Sequence, residues 1–296
     1  MRIFFCLLIL VFLSACTKYQ HLGYVSHVNA KPSTPVSKVF VHAGASNVAF
    51  YGKVDLTNAQ VASGQMLYPG YDGASFLAGI ITHAAISSSL LEKQKKEIQR
   101  LAEEVWGPYR QVTEQINHQM LLESSLNVVA TTGDQTTIGS TPQVTAELKN
   151  EVVAELLPLY FLSKNEETLS LVSTVKIFRA GNKQGKPLYQ NQIEIVGDLI
   201  QAENFREFWL ANDGEALRLQ IQNQYNTALQ LTLNDFLSAQ PKAGQQENIK
   251  YQDGSTTEFV RGEVLERNDQ RVVVRTLRGW LKVIPVERLV ESSASK

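Results

Sequence analysis

Both cysteines of this chain, Cys6 and Cys16, fall within its first sixteen residues. Whatever the rest folds into is therefore held by an apolar core and hydrogen bonds, because an internal disulfide or a multi-cysteine metal site cannot form there. At 296 residues the chain is long enough for one large domain or two modest ones. Its formal net charge of −1 supplies no field that would favour nucleic acid or an anionic surface.

The N-terminus carries a second constraint. Arg2 is followed by an unbroken apolar run from Ile3 to Leu13. As a helix that run rises about 16 Å, roughly half of a bilayer core. It is too short to span a membrane and suits the apolar region of an export signal. Small residues, Ser14 and Ala15, then precede Cys16.

The order Leu13-Ser14-Ala15-Cys16 resembles the lipobox of bacterial lipoproteins. The resemblance implies a signal peptide over 1–15, cleavage before Cys16 and lipid (diacylglycerol, then palmitate-like acyl chains) on its thiol. Each buried CH₂ adds about 0.8 kcal/mol, and one chain alone holds only marginally, so the two or three chains of that class imply a stable anchor. Thr17 stands where an Asp would imply inner-membrane retention, which favours the outer membrane, facing the periplasm. An ordinary signal peptide cut after Ala15 is the alternative.

Residues 16–37, with Pro32 and Pro35 and few aliphatics, read as a tether. An apolar run at Lys38 to Val41 opens the fold, and Val48 to Val54 is a candidate strand. From Ala74, apolar residues at three- and four-residue steps predict a helix to Val105, stopped by Gly107-Pro108. Tyr109 to Met120 predicts a second helical piece, Leu126 to Thr131 a strand and Gly133 to Pro142 a turn region. Residues 152–162 predict a strand with Pro158 at an edge or bulge. Leu169 to Ile177 and Tyr189 to Ile195 alternate with period two, with a turn at Gly181 to Pro187. Residues 152–196 thus predict an antiparallel meander. Asn212 with Glu215 resembles a capping box, and Leu217, Ile221, Tyr225, Ala228, Leu229, Leu233 and Phe236 mark one helical face to cover that meander.

Residues 241–254 read as a linker. Three short strands follow at Phe259 to Leu265, Val272 to Thr276 and Trp280 to Ile284. Their pattern resembles a small SH3-like β-barrel over 255–291. The expectation is therefore an α+β fold: an antiparallel meander packed by amphipathic helices over 38–240, then the small barrel.

Chemistry is sparse. His21, His27, His42, His83 and His118 are too far apart in sequence to suggest a metal site, and His21 and His27 fall in the tether. There is no GxSxG elbow, P-loop or GxGxxG, so no cofactor is implied. The charged stretch from Glu92 to Glu104 reads as a solvated helix face. Arg271, Arg275, Arg278 and Trp280 form a basic, aromatic cluster in the last segment, the candidate contact for a ligand or partner. The leading expectation is a non-catalytic envelope lipoprotein that joins the membrane through Cys16 and engages an envelope protein or its own copies. The alternatives are an anchored hydrolase using His42, Ser46 and the carboxylates after residue 92, and a peptidoglycan-binding module.

Overall fold

The structure is a computed structural model, and it describes residues 25–30, 36–43, 48–53, 88–129, 136–141, 148, 151–182, 185–238 and 244–290. The expected signal segment with Cys16, most of the expected tether, Ser46, the helix expected over 74–87 and the last six residues lie outside the described residues.

Eleven strands form one sheet: β1 (Val28–Asn29), β2 (Lys38–Ala43), β3 (Ala49–Gly52), β4 (Thr137–Ser140), β5 (Val152–Leu162), β6 (Leu169–Arg179), β7 (Tyr189–Ile195), β8 (Gln246–Asp253), β9 (Thr256–Arg267), β10 (Arg271–Thr276) and β11 (Leu281–Pro285). The helices are α1 (Ser88–Trp106), α2 (Arg110–Thr113), α3 (His118–Val129) and α4 (Phe205–Leu237). The fold is α+β, with a large, mostly antiparallel sheet in the order β4-β2-β5-β6-β7-β11-β10-β9-β8.

The expected meander is β5, β6 and β7, paired antiparallel. Its inner face carries Leu156, Tyr160, Leu171, Val175, Ile177 and Ile193, all fully buried. The helical face predicted from Leu217 to Phe236 packs there as part of one core. Two polar links fix helix to sheet: Tyr160 donates its hydroxyl to the Ile221 carbonyl (2.8 Å), and Gln224 donates to the Leu169 carbonyl (2.6 Å). Each large apolar side chain buried in this way contributes about 1.5–3 kcal/mol.

Pro158 is at neither an edge nor a bulge. It lies inside β5, opposite Ser173 of β6. The bond from the Ser163 amide to the Thr168 carbonyl sets the ladder phase, so odd-numbered residues of β5 turn their amides to β6. Position 158 turns the other way. There β2 covers only 152–156 and β3 only 159–162. Among the described residues, neither parallel neighbour pairs with position 158, so the missing proline donor breaks no described ladder bond.

Other expectations fail for tertiary reasons. Leu126 to Val129 is helical: Leu121, Leu122, Ser125 and Val129 are buried with helical spacing on α3, which overrides the β-branched pair Val128-Val129. Thr137–Ser140, read as turn, is an edge strand parallel to β2. Gln246–Asp253, read as linker, is β8. Residues 25–30, read as tether, lie on the fold, with Val28 and Asn29 paired to Gln190 and Tyr189. The cap of α4 is Asn204, whose side chain accepts from the Glu207 amide, and Asn212 is instead left-handed. Asn212, Asp213 and Gly214 have φ of 51°, 59° and 77°, and split α4 into a short first segment and the long one that carries the predicted face.

Gly214 is the tightest point of that break, because an added Cβ would meet Val112 Cγ1 at 2.6 Å. Gly214→Ala is expected to cost about 1–3 kcal/mol from overpacking together with the left-handed backbone. Pro158→Ala should stay within about 1 kcal/mol, since no ladder bond awaits the restored donor. Urea denaturation of both variants checks the contrast.

Candidate functional site

The four candidate contact residues are distributed along β10 and the turn after it. Arg271, at the start of β10, reaches Glu266 at 3.5 Å. Arg275 sits near its end and pairs with Asp235 of α4 at 2.6 Å, with side-chain exposures of 20% and 7%. The Arg278 guanidinium stacks over the Trp280 ring at 4.9 Å. The Trp280 indole N–H donates to the Val25 carbonyl at 2.8 Å. Arg275 and Trp280 are thus committed to contacts within the chain.

These contacts form a seam between three parts of the molecule. From the body, β7 supplies Tyr189 and Asn191, and α4 supplies Asp235. Tyr189 donates to Asp235 Oδ2 (2.9 Å), and the Asn191 amide donates to the Tyr189 hydroxyl (3.1 Å). Burial pushes the Tyr189 hydroxyl well above its ordinary pKa, and the carboxylate of Asp235 adds to the effect. From the C-terminal strands come Arg275, Gly279 and Trp280. The third part is the N-terminal segment. His27 meets the Tyr189 ring edge-on at 6.3 Å between centroids. Gly279, at φ 84°, lies so close to His27 that a Cβ there would sit 2.7 Å from the ring. Burial lowers the His27 pKa. Asp235 opposes that shift, Arg275 reinforces it and a hydrogen bond with Asn191 opposes it.

A second lock lies at the other end of β11. The Arg288 side chain is fully buried and donates to the carbonyls of Gly197 (2.5 Å) and Asp198 (2.7 Å) and to Glu167 (3.2 Å). Lys53 pairs with Asp253, and the Gly254 amide donates to Thr168 Oγ1 (3.1 Å). Between these locks, β11 runs parallel to β7, with Lys282 at 2.8 Å from Glu194.

The residues suggested for hydrolysis do not gather. His42 lies on the same face of the sheet as its register partner Glu155, 3.8 Å away, and its Nδ1 is 3.0 Å from the Thr141 carbonyl. α1 packs against the opposite face, where Gly52 meets Val105. Its exposed Glu97 and Glu104 pair with Arg100, and Glu103 with Arg110. His118 is buried, 2.8 Å from the Tyr225 hydroxyl. Among the described residues no three His, Cys, Asp or Glu side chains come together as metal ligands.

Sequence reasoning missed the seam. Asp235 lies on a helix predicted only for its apolar face, and His27 lies in a stretch too polar to mark as structured. The sole hint was the pair of valines at 25 and 28. No protein-family model matches the chain, and no characterised protein shows significant sequence similarity to it. Among the described residues no helix is long and apolar enough to cross a membrane.

Asp235→Ala should strip the part-buried Arg275 of its counter-charge and cost about 3–5 kcal/mol. Replacing both, Asp235→Leu with Arg275→Met, should recover most of that loss. Chemical denaturation of the single and double variants reads the difference, and an additive double variant would show the two side chains to be uncoupled.

Proposed function

We propose that the protein is a non-catalytic lipoprotein of the bacterial cell envelope. Lipid on Cys16 holds it at the outer membrane, facing the periplasm, and its folded body engages an envelope partner. The observation that carries this is the short apolar run ending in Leu13-Ser14-Ala15-Cys16. The first described residue, Val25, is hydrogen-bonded to Trp280. Residues 16–24 therefore separate lipid from fold, and a fully extended segment of that length reaches at most about 30 Å. The body is kept near the bilayer, which raises its effective concentration toward partners on the same membrane.

The C-terminal strands fit an SH3-like barrel. They run as a meander β8-β9-β10-β11, followed by a 3₁₀ turn at Val286–Arg288 and a final bridge from Leu289 back to Tyr251 of β8. That bridge closes the set, and Ile249, Tyr251, Val272, Val274 and Ile284 fill its interior.

With Arg275 and Trp280 turned to internal contacts, the partner contact falls elsewhere on this module. β9 pairs with β10 only from Gly262 onward. Over Thr256 to Arg261 it pairs, among the described residues, with β8 alone. The bond from the Val264 amide to the Gln245 carbonyl sets the phase, so Thr257, Phe259 and Arg261 turn their amides and carbonyls outward. Phe259 (71% exposed) and Leu277 (68% exposed) flank this edge. An extended segment of a partner protein adding a strand here fits the edge. A hydrolase is disfavoured by His42 and the α1 carboxylates lying on opposite faces of the sheet.

Mass spectrometry of the mature N-terminus tests the anchor: a lipidated Cys16 is expected, and an unmodified Cys16 or a cut elsewhere would sink the proposal. Cys16→Ser should remain uncut and lose its lipid. A photo-crosslinker at Thr257 is expected to capture one envelope protein in cells, with capture lost in Phe259→Lys; equal capture from an exposed position on α1 would refute the edge as the contact.

A further inference from the structure

The N-terminal segment that leads from the proposed anchor does more than connect. Residues 25–30 lie across the seam between the body and the C-terminal strands, and touch both. Val28 and Asn29 pair with β7. The Ala30 amide donates to the Leu188 carbonyl (2.7 Å), and Gln190 donates to the Ser26 carbonyl and hydroxyl (3.1 Å each). On the other side, Trp280 holds Val25 and Gly279 abuts His27. The pairing is short, so its ring contacts matter. A two-residue strand has few ladder bonds to resist opening.

A cation at His27 is disfavoured first by burial; Asp235 favours it more than Arg275 opposes it, and a hydrogen bond with Asn191 also favours it. The His27 Nδ1 is buried and has no hydrogen-bond partner. Tyr189 and Asn191 face it from β7, Asp235 from α4 and Arg275 from β10, with Arg278 beside Gly279 in the turn. Asp235 is the nearby carboxylate, and both of its oxygens are engaged, Oδ1 by Arg275 and Oδ2 by Tyr189. A proton on His27 would put a charge into a partly buried site where Nδ1 has no acceptor and the Asp235 oxygens are already bonded.

The geometry points to a pH-released strap: residues 25–30 clamp the C-terminal strands to the body while His27 is neutral, and let go when it is protonated. The sign follows from linkage. The docked site lowers the His27 pKa below its ordinary value of 6.5, so the undocked segment takes up the proton more readily. Docking is therefore at full strength above pH 6.5. Below that, it weakens by up to about tenfold per pH unit until the docked group itself titrates. If the chain is anchored at Cys16 as proposed above, release also lengthens the leash. The next described contact is then Val36, whose carbonyl accepts from Thr136, so the greatest reach from Cys16 grows from about 30 Å to about 70 Å. The strap itself stands without the lipid, so its test and that of the anchor fail separately.

Amide hydrogen exchange by mass spectrometry, on the full chain in detergent, reads residues 25–30 at pH 7.5 and 5.0 after correction for intrinsic rates. Protection in this segment is expected to be lower at pH 5.0 than at pH 7.5, while α4 and β5 keep theirs. His27→Gln, which cannot charge, should dock with pH-independent protection. Trp280→Phe, which loses the bond to Val25, should weaken protection at both pH values and keep the pH dependence. Wild-type protection that does not change between the two pH values overturns the proposal, as does an unchanged pH dependence in His27→Gln. A segment unprotected even at pH 7.5 overturns the strap altogether.

Discussion

The parallel pairing of β11 with β7 is the contact on which the rest of the architecture depends. Leu281, Lys282 and Val283 align with Ile193, Glu194 and Ile195. This short ladder turns a helix-covered meander and the C-terminal strands β8 to β11 into one sheet. Three aligned residues cannot hold two bodies rigidly by backbone bonds alone. The pairing is therefore bracketed by buried charge: Arg275 with Asp235 at one end, and Arg288 with Glu167 and two carbonyls at the other. Each guanidinium taken from water needs those partners, and each becomes a specific, directional link once it has them.

This bracket explains why the basic residues of the last segment make poor candidates for a free binding surface. Their number suggests a patch. Their positions assign Arg275 and Arg288 to the seam, while Arg271 and Arg267 answer carboxylates at 266 and 247. Trp280, the aromatic platform of that expected patch, holds the N-terminal segment by its indole N–H. Among the described residues, Thr256 to Arg261 of β9 pair with β8 and not with β10. A basic, aromatic composition signals potential contacts, and burial decides whether they point inside or outside the molecule.

Much of the fold was legible wherever a period is long enough to count. Leu169 to Ile177 and Tyr189 to Ile195 announce strands because alternation over seven or more residues fits only one backbone. The face from Leu217 to Phe236 announces a helix for the same reason. Short elements were not legible. Thr137–Ser140 and Val28–Asn29 are strands because a neighbour offers an edge, and Leu126–Val129 is helical because α3 extends through it onto the core. Pro158 looked like an edge marker, yet it is tolerated inside the sheet because two different strands meet there and leave one position unbonded.

By itself, the sequence determined the covalent and periodic facts: two cysteines confined to the N-terminus, a short apolar run before Cys16, a period-two meander, a long amphipathic helix and a closing set of β segments. These follow from local spacing and side-chain chemistry, which need no knowledge of distant residues. Only the tertiary structure decided which charges face each other across the chain. Asp235 and Arg275 are 40 positions apart and Val25 and Trp280 are 255 apart. Such pairs carry no local signature, because the free energy that selects them comes from desolvating groups that meet only after the sheet has assembled.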